Sequence, residues 1–283
     1  DASVKPKVVS KIAVLEAGTM GGGIAQLGAD KGYDVRMKDI NNQAISIGYQ
    51  QAAKIWKKDV ERKKITKSQY DQKMGRISGS TSFDGFKNTD VVIEAIVEDM
   101  EIKKKVLAET YKHCKEAVIL ATNTSSLSVN EMAKGLTRPE NFVGMHFFNP
   151  VHKMPLVEVV RGEKSSDEAV ATIFDICKKM GKTPVVMKDG PGFLVNRLLL
   201  PYLNEAVYLL EEGYSIEDID KAFLRFGMPM GPLHLVDEIG IDVAVKVAKI
   251  FNKAFGERAQ PSKIMLKVAE TGRLGKKNKK GFY

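Results

Sequence analysis

Residues 11–25, K-I-A-V-L-E-A-G-T-M-G-G-G-I-A, constrain the fold more than any other part of the chain. A short apolar run over 11–15 leads into glycines, a helical stretch follows over 19–31, and 33–39 reads as a second strand. Strand, glycine turn, helix and strand in quick succession make a βαβ unit. Such a unit requires a parallel sheet covered on both faces.

The glycine loop comes close to the dinucleotide fingerprint G-x-G-x-x-G. In that motif the first glycine makes the tight turn, the second admits the pyrophosphate, and the third lets helix and strand pack closely. Gly18 and Gly21 supply the second and third, while Glu16 stands where the first belongs. Phosphates would rest on the helix N-terminus, where unpaired N–H groups favour an anion. Asp39, at the end of the next strand, is placed to accept hydrogen bonds from a ribose 2′-hydroxyl and to repel a 2′-phosphate, so NAD is expected over NADP. Glu16 is expected to need a less glycine-like backbone and to weaken binding by bringing a carboxylate near two phosphates. The other reading is a plain strand-to-helix turn that binds no cofactor.

The alternation continues with strands over 90–96, 117–121, 142–145, 156–160 and 184–187 and helices over 101–115 and 167–180. From Pro191 the strand signals stop, and helices are expected over 192–212, 216–225, 240–252 and 262–271. The expected architecture is an α/β Rossmann-type doubly wound sheet of seven or eight strands over 1–187, followed by an all-α domain over 188–283.

At 283 residues and 43% hydrophobic composition the chain can bury a full core. Cys114 and Cys177 lie in helical patterns, too isolated for a metal cluster, so no metal site is expected and a reduced, cytoplasmic compartment fits. No apolar run approaches the roughly 18 residues of a membrane span, and no intact secretory signal precedes the first strand. The start at Asp1 fits a piece of a longer protein. The net charge of +9 is spread along the chain without a DNA- or RNA-reading motif, which argues against nucleic acid and for a small polyanion as partner.

Several polar residues stand where polarity is costly. In Leu156-Val-Glu-Val-Val160 side chains alternate, so Glu158 shares a face with Leu156 and Val160. A buried carboxylate needs a partner. The expected one is His146, at the end of the strand 142–145, because α/β ligands bind at the carboxyl ends of parallel strands. A carboxylate on one imidazole nitrogen fixes the tautomer and presents the other as a base; His146 taken alone reads equally well as a core residue. Asn196 lies on a helical face with Phe193, Leu199 and Leu200, as a site residue or a packing amide. Thr122-Asn-Thr-Ser-Ser126 offers hydroxyls to the same crevice, or caps a helix starting near Ser128.

The landmarks G-T-M-G-G-G-I-A, A-I-V-E, N-T-S-S-L, H-F-F-N-P, L-V-E-V, P-G-F-L-V-N-R and P-M-G-P resemble the L-3-hydroxyacyl-CoA dehydrogenase family from near Lys11 to the last residue. M-K-D-I-N and H-F-F-N-P-V-H-K-M-P are similar to the dehydrogenase part of multifunctional bacterial β-oxidation proteins. The resemblance implies NAD as cofactor and an acyl-CoA substrate, with His146 as catalytic base, Glu158 orienting it, and Ser125 and Asn196 holding the substrate's 3-oxygen. It places Gly18, Met20 and Gly21 at the pyrophosphate, Asp39 at the adenosine ribose, and Glu98, Lys103 and Asn149 at the nicotinamide half. The acyl-CoA is expected between the domains. Lys57 and Lys58, in the basic stretch 54–64, are expected at the CoA phosphates; their other reading is a solvated face. The helical domain is expected to form a homodimer in a free-standing enzyme or to meet a further domain in a multifunctional chain. Two rivals stay open, a dehydrogenase of another small 3-hydroxy acid and a non-catalytic dinucleotide-binding or assembly module.

Overall fold

A computed structural model describes residues 4–283, which divide after Gly190 into two compact units. In the first unit the elements run β1 (Lys11–Leu15), α1 (Thr19–Asp30), β2 (Asp34–Lys38), α2 (Asn42–Glu61), α3 (Lys67–Gly75), β3 (Ile77–Ser80), β4 (Val91–Glu94), α4 (Met100–His113), β5 (Ile119–Thr122), α5 (Val129–Ala133), β6 (Phe142–Phe147), β7 (Leu156–Arg161), α6 (Asp167–Lys179) and β8 (Thr183–Lys188). The eight strands form one sheet in the order β3-β2-β1-β4-β5-β6-β7-β8. β1, β4 and β5 sit at its centre and are covered on both faces, which is why their sequences are continuous apolar runs and not alternating ones.

The structure departs from the sequence reading in several places. β3, with the sequence I-S-G-S, lies at the sheet edge beside β2 and has too little apolar character to stand out as a strand. β7 pairs antiparallel with β6, so the sheet is not parallel throughout. β8 ends at Lys188, shortly before the division after Gly190. A short helix, Pro232–Ile239, was not expected; it begins with proline at its first position and is bracketed by Gly231 and Gly240.

Helix starts are set locally. Asn41, Thr66, Asp99, Ser128 and Ser166 each accept a backbone N–H from the first turn of α2, α3, α4, α5 and α6. α1 differs, with Gly18 at its cap and no side chain of that residue to do this. Its donors are left to another group.

On one face of the sheet the core of the first unit packs Ile12, Val14, Met37 and Phe147 against Ile24, Trp56, Ile173 and Cys177 of α1, α2 and α6. The second unit is helical, with α7 (Val195–Glu211), α8 (Ile216–Phe226), α9 (Pro232–Ile239), α10 (Ile241–Phe255) and α11 (Lys263–Glu270). Leu203, Val207, Ile219, Leu233, Val236 and Ile241 build a separate core there. Among the described residues no helix is long and apolar enough to cross a membrane.

Candidate active site

The glycine loop follows β1. Glu16 holds φ at +83°, so the position keeps a glycine-like backbone although it carries a side chain, contrary to the sequence expectation. The residue is pinned on both sides: its N–H donates to the Lys38 carbonyl at 2.8 Å, and the next N–H, that of Ala17, donates to Asp39 Oδ2 at 2.7 Å. A left-handed non-glycine conformation costs on the order of 1–3 kcal/mol, which these neighbours sustain. Gly21 lets the start of α1 approach the end of β1, since a Cβ there would collide with the Glu16 carbonyl oxygen. Asp39 accepts from Ala17 and from Ile40, and a carboxylate has about four lone-pair sites, so it retains capacity for a ribose hydroxyl. The loop, the helix start and Asp39 together fit a dinucleotide.

Farther along the same sheet edge lies a buried ionic network that the sequence reading missed in part. Glu94 ends β4 without exposure to solvent; it accepts from Lys103 Nζ at 2.6 Å, from the Ile96 N–H at 2.7 Å and from Thr122 Oγ1 at 2.7 Å. Lys103, in the first turns of α4, also donates to the Ile96 carbonyl at 3.1 Å and pairs with Glu98 Oε2 at 3.3 Å. An ammonium has three donors, and all three are engaged within the protein. Lys103 therefore braces the network and aims Glu98. Glu98 Oε1 accepts from Thr124 Oγ1 at 2.5 Å and from the Ser125 N–H at 3.1 Å. Burial opposes the Glu98 charge, but Lys103 and these hydrogen bonds outweigh it and hold the carboxyl below the usual carboxylate range. Glu98 and Ser125, assigned separately from sequence, are thus brought together. The hydroxyls of Thr122 and Thr124 serve Glu94 and Glu98, while Ser128 caps α5.

One strand over, β6 and β7 place His146 and Glu158 directly opposite each other. His146 Nδ1 lies 2.7 Å from Glu158 Oε2; Glu158 is fully buried and His146 is 6% exposed. A carboxylate only accepts, so with Glu158 ionised and the imidazole neutral Nδ1 would carry the proton and Nε2 the lone pair. The Phe148 ring packs against the imidazole at 4.5 Å between centroids. Because β7 runs antiparallel, the crevice at the carboxyl end of β6 is also the amino-terminal part of β7. That direction lets a residue early in one strand meet a residue late in the other. Asn123 Oδ1 accepts the Phe147 N–H at 2.9 Å and ties the loop after β5 to the same end of β6.

The remaining sequence candidates are spread more widely. Asn149 is exposed on the loop after β6, where it precedes a cis Pro150. Lys57 and Lys58 are exposed near the end of α2, and Lys58 lies within electrostatic reach of His152 on the loop between β6 and β7. Met20 is half-buried in the first turn of α1. Asn196 is in the first turn of α7, in the second unit.

Residues 11–190 match the family model for the 3-hydroxyacyl-CoA dehydrogenase NAD binding domain, and 192–283 match the model for the 3-hydroxyacyl-CoA dehydrogenase C-terminal domain. The chain belongs to the 3-hydroxyacyl-CoA dehydrogenase family. It is an NAD-dependent oxidoreductase by that membership. It is 49% identical over 277 residues to the fatty acid oxidation complex subunit alpha of Acinetobacter baylyi, covering 97% of this chain and 39% of that one. The chain thus spans about two fifths of the length of the curated relatives it matches. Among solved structures, (S)-3-hydroxybutyryl-CoA dehydrogenase PaaH1 from Ralstonia eutropha superposes with a TM-score of 0.95 at 39% identity, covering 98% of this chain and 99% of that one. FadB2 of M. tuberculosis superposes with a TM-score of 0.92 at 34% identity, over 98% and 99% of the two chains.

Proposed function

We propose that this dehydrogenase oxidises an L-3-hydroxyacyl-CoA to the 3-ketoacyl-CoA, with His146 taking the hydroxyl proton. The observation that carries the reading is the buried His146–Glu158 pair, 2.7 Å apart at the carboxyl end of β6. NAD, when bound, supplies the hydride acceptor. Glu158 fixes the tautomer that directs Nε2 towards the substrate and stabilises the imidazolium that forms on proton transfer. In the reverse direction the imidazolium returns the proton to the 3-oxygen. Ser125 and Asn196 hold that oxygen. Glu98, braced by Lys103, and Asn149 orient the nicotinamide half of the cofactor, while Gly18, Met20, Gly21 and Asp39 hold the adenosine end.

An acyl-CoA substrate is supported by relatives whose names specify 3-hydroxybutyryl-CoA. Lys57 and Lys58 meet the CoA phosphates, a role supported by the reach of Lys58 to the loop that follows His146. Exposed apolar side chains on the second unit, Leu198 and Phe226 among them, support a protein partner there: a second copy of the chain or another part of a multifunctional protein. The test is the loss of reduced-nicotinamide absorbance with acetoacetyl-CoA and NADH. Turnover with acetoacetyl-CoA and none with free acetoacetate is the expected result. The reverse preference would reassign the substrate to a small 3-hydroxy acid.

A further inference from the structure

The start of α1 already holds an anion, and it belongs to the chain itself. The Glu16 carboxylate lies against Gly18 and Gly21, whose backbone N–H groups favour its charge. It lies so close over Gly18 that a Cβ built there would strike Oε1. These donors stand at the second and third positions of the fingerprint, where a pyrophosphate is received. α1 also has no acidic residue in its first turn and no capping side chain at Gly18. The carboxylate instead sets a negative charge beside the start of this helix, from two residues before the cap.

We propose that Glu16 is a built-in occupant of the dinucleotide phosphate cradle, which NAD displaces on binding and which takes up a proton as it is displaced. The backbone at Glu16 is pinned between the ends of β1 and β2, so the side chain stays near the cradle after losing its two N–H donors. Charged groups on the neighbouring elements face it unfavourably: Asp39 after β2 and Glu94 at the end of β4 are both acidic. Lys103 is taken up by Glu94 and Glu98, and the Lys38 ammonium lies over the Phe83 ring. Burial, then Asp39, already hold the Glu16 carboxyl above its ordinary value despite the Gly18 and Gly21 N–H groups. Moving away from those donors and gaining two phosphates pushes it further in the same direction. Binding that raises a group's proton affinity is favoured as pH falls.

The inference rests on membership in an NAD-binding family and is independent of the reaction assigned above, so it is tested by binding without substrate. NADH and ADP-ribose are titrated calorimetrically into the wild-type chain, Glu16→Gly and Glu16→Gln between pH 5.5 and 8.5, in buffers of different ionisation enthalpy. ADP-ribose carries the pyrophosphate without the nicotinamide and so isolates the cradle from His146. At pH 8 the glycine variant is expected to bind both ligands at least about tenfold more tightly, the scale of one charge-assisted hydrogen-bonding competitor removed. The wild-type affinity should approach that of the variant towards pH 5.5, with buffer-dependent heats that report proton uptake. Glu16→Gln should fall between the two and lose the extra pH slope. Equal affinities at pH 8, or the same pH slope in the wild-type chain and the glycine variant, overturn the proposal. If no variant binds either ligand at any pH, the cofactor reading of the loop fails with it.

Discussion

Two acid–base pairs stand on the same sheet, and they do different work. Glu94–Lys103 and Glu158–His146 both join a fully buried carboxylate to a nearly buried base, at 2.6 Å and 2.7 Å. Lysine as a class keeps its proton at neutral pH, whereas imidazole gives and takes one there. Lys103 spends every donor on Glu94, Ile96 and Glu98, so its pair fastens the end of β4 to α4. His146 gives one nitrogen to Glu158 and carries a second with different chemistry on the other side of the ring. Burying a charge is costly in both pairs; one return is rigidity and the other is an imidazole held in place, as the proposed base requires.

Substitutions should separate the two roles. His146→Gln is expected to lower turnover of acetoacetyl-CoA by roughly 10² to 10⁴, the usual cost of removing a positioned general base, while NADH affinity by fluorescence titration changes little. Wild-type turnover in this variant would remove the proposed base. Lys103→Met should act on the fold: it leaves Glu94 buried without its cation, so urea denaturation should show a loss of about 3–5 kcal/mol. A stability loss of that size from His146→Gln, or none from Lys103→Met, would erase the distinction between the pairs.

Glu158→Gln should reduce turnover less than His146→Gln, because the amide still accepts from Nδ1 but stabilises the imidazolium less. The double variant should be little worse than the poorer single one, as residues acting in one unit are not additive. Fully multiplicative losses would mean that Glu158 acts on something other than the imidazole. The smallest effect is expected from Lys57→Ala with Lys58→Ala, since exposed charges are screened: a Michaelis constant for acetoacetyl-CoA raised a few-fold, with a weaker salt dependence. An unchanged constant at low salt places the CoA phosphates elsewhere.

Much of the molecule was legible in the sequence, because buried parallel strands and amphipathic helices write their periods plainly. His146 and Glu158 could be paired from the sequence because a carboxylate among Leu156, Val157, Val159 and Val160 demands an explanation. Glu94 demands the same, in V-V-I-E at the end of β4, but its partners come from α4 and β5 and no local pattern points to them. That signal, a charged residue closing an apolar strand, could have found it. The direction of β7 was hidden because a strand buried on both faces reads alike in either direction. β3 was hidden because an edge strand of serine and glycine carries almost no period. The conformation of Glu16 was misjudged since a propensity argument sees the strain of a positive φ and not the two strands that impose it.

The reversal at β7 has a consequence for how the protein comes to be active. Most neighbours in this sheet are joined by long crossovers, whose closure must be completed before their contacts form, but His146 and Glu158 are 12 residues apart and meet across a hairpin. Loop closure over so short a span is fast and entropically mild. The His146–Glu158 pair is therefore a local tertiary contact. In pulse-labelling hydrogen exchange during refolding, the amides shared by β6 and β7 are expected to gain protection before those between β1 and β4, whose paired residues Ile12 and Val91 lie far apart in the chain.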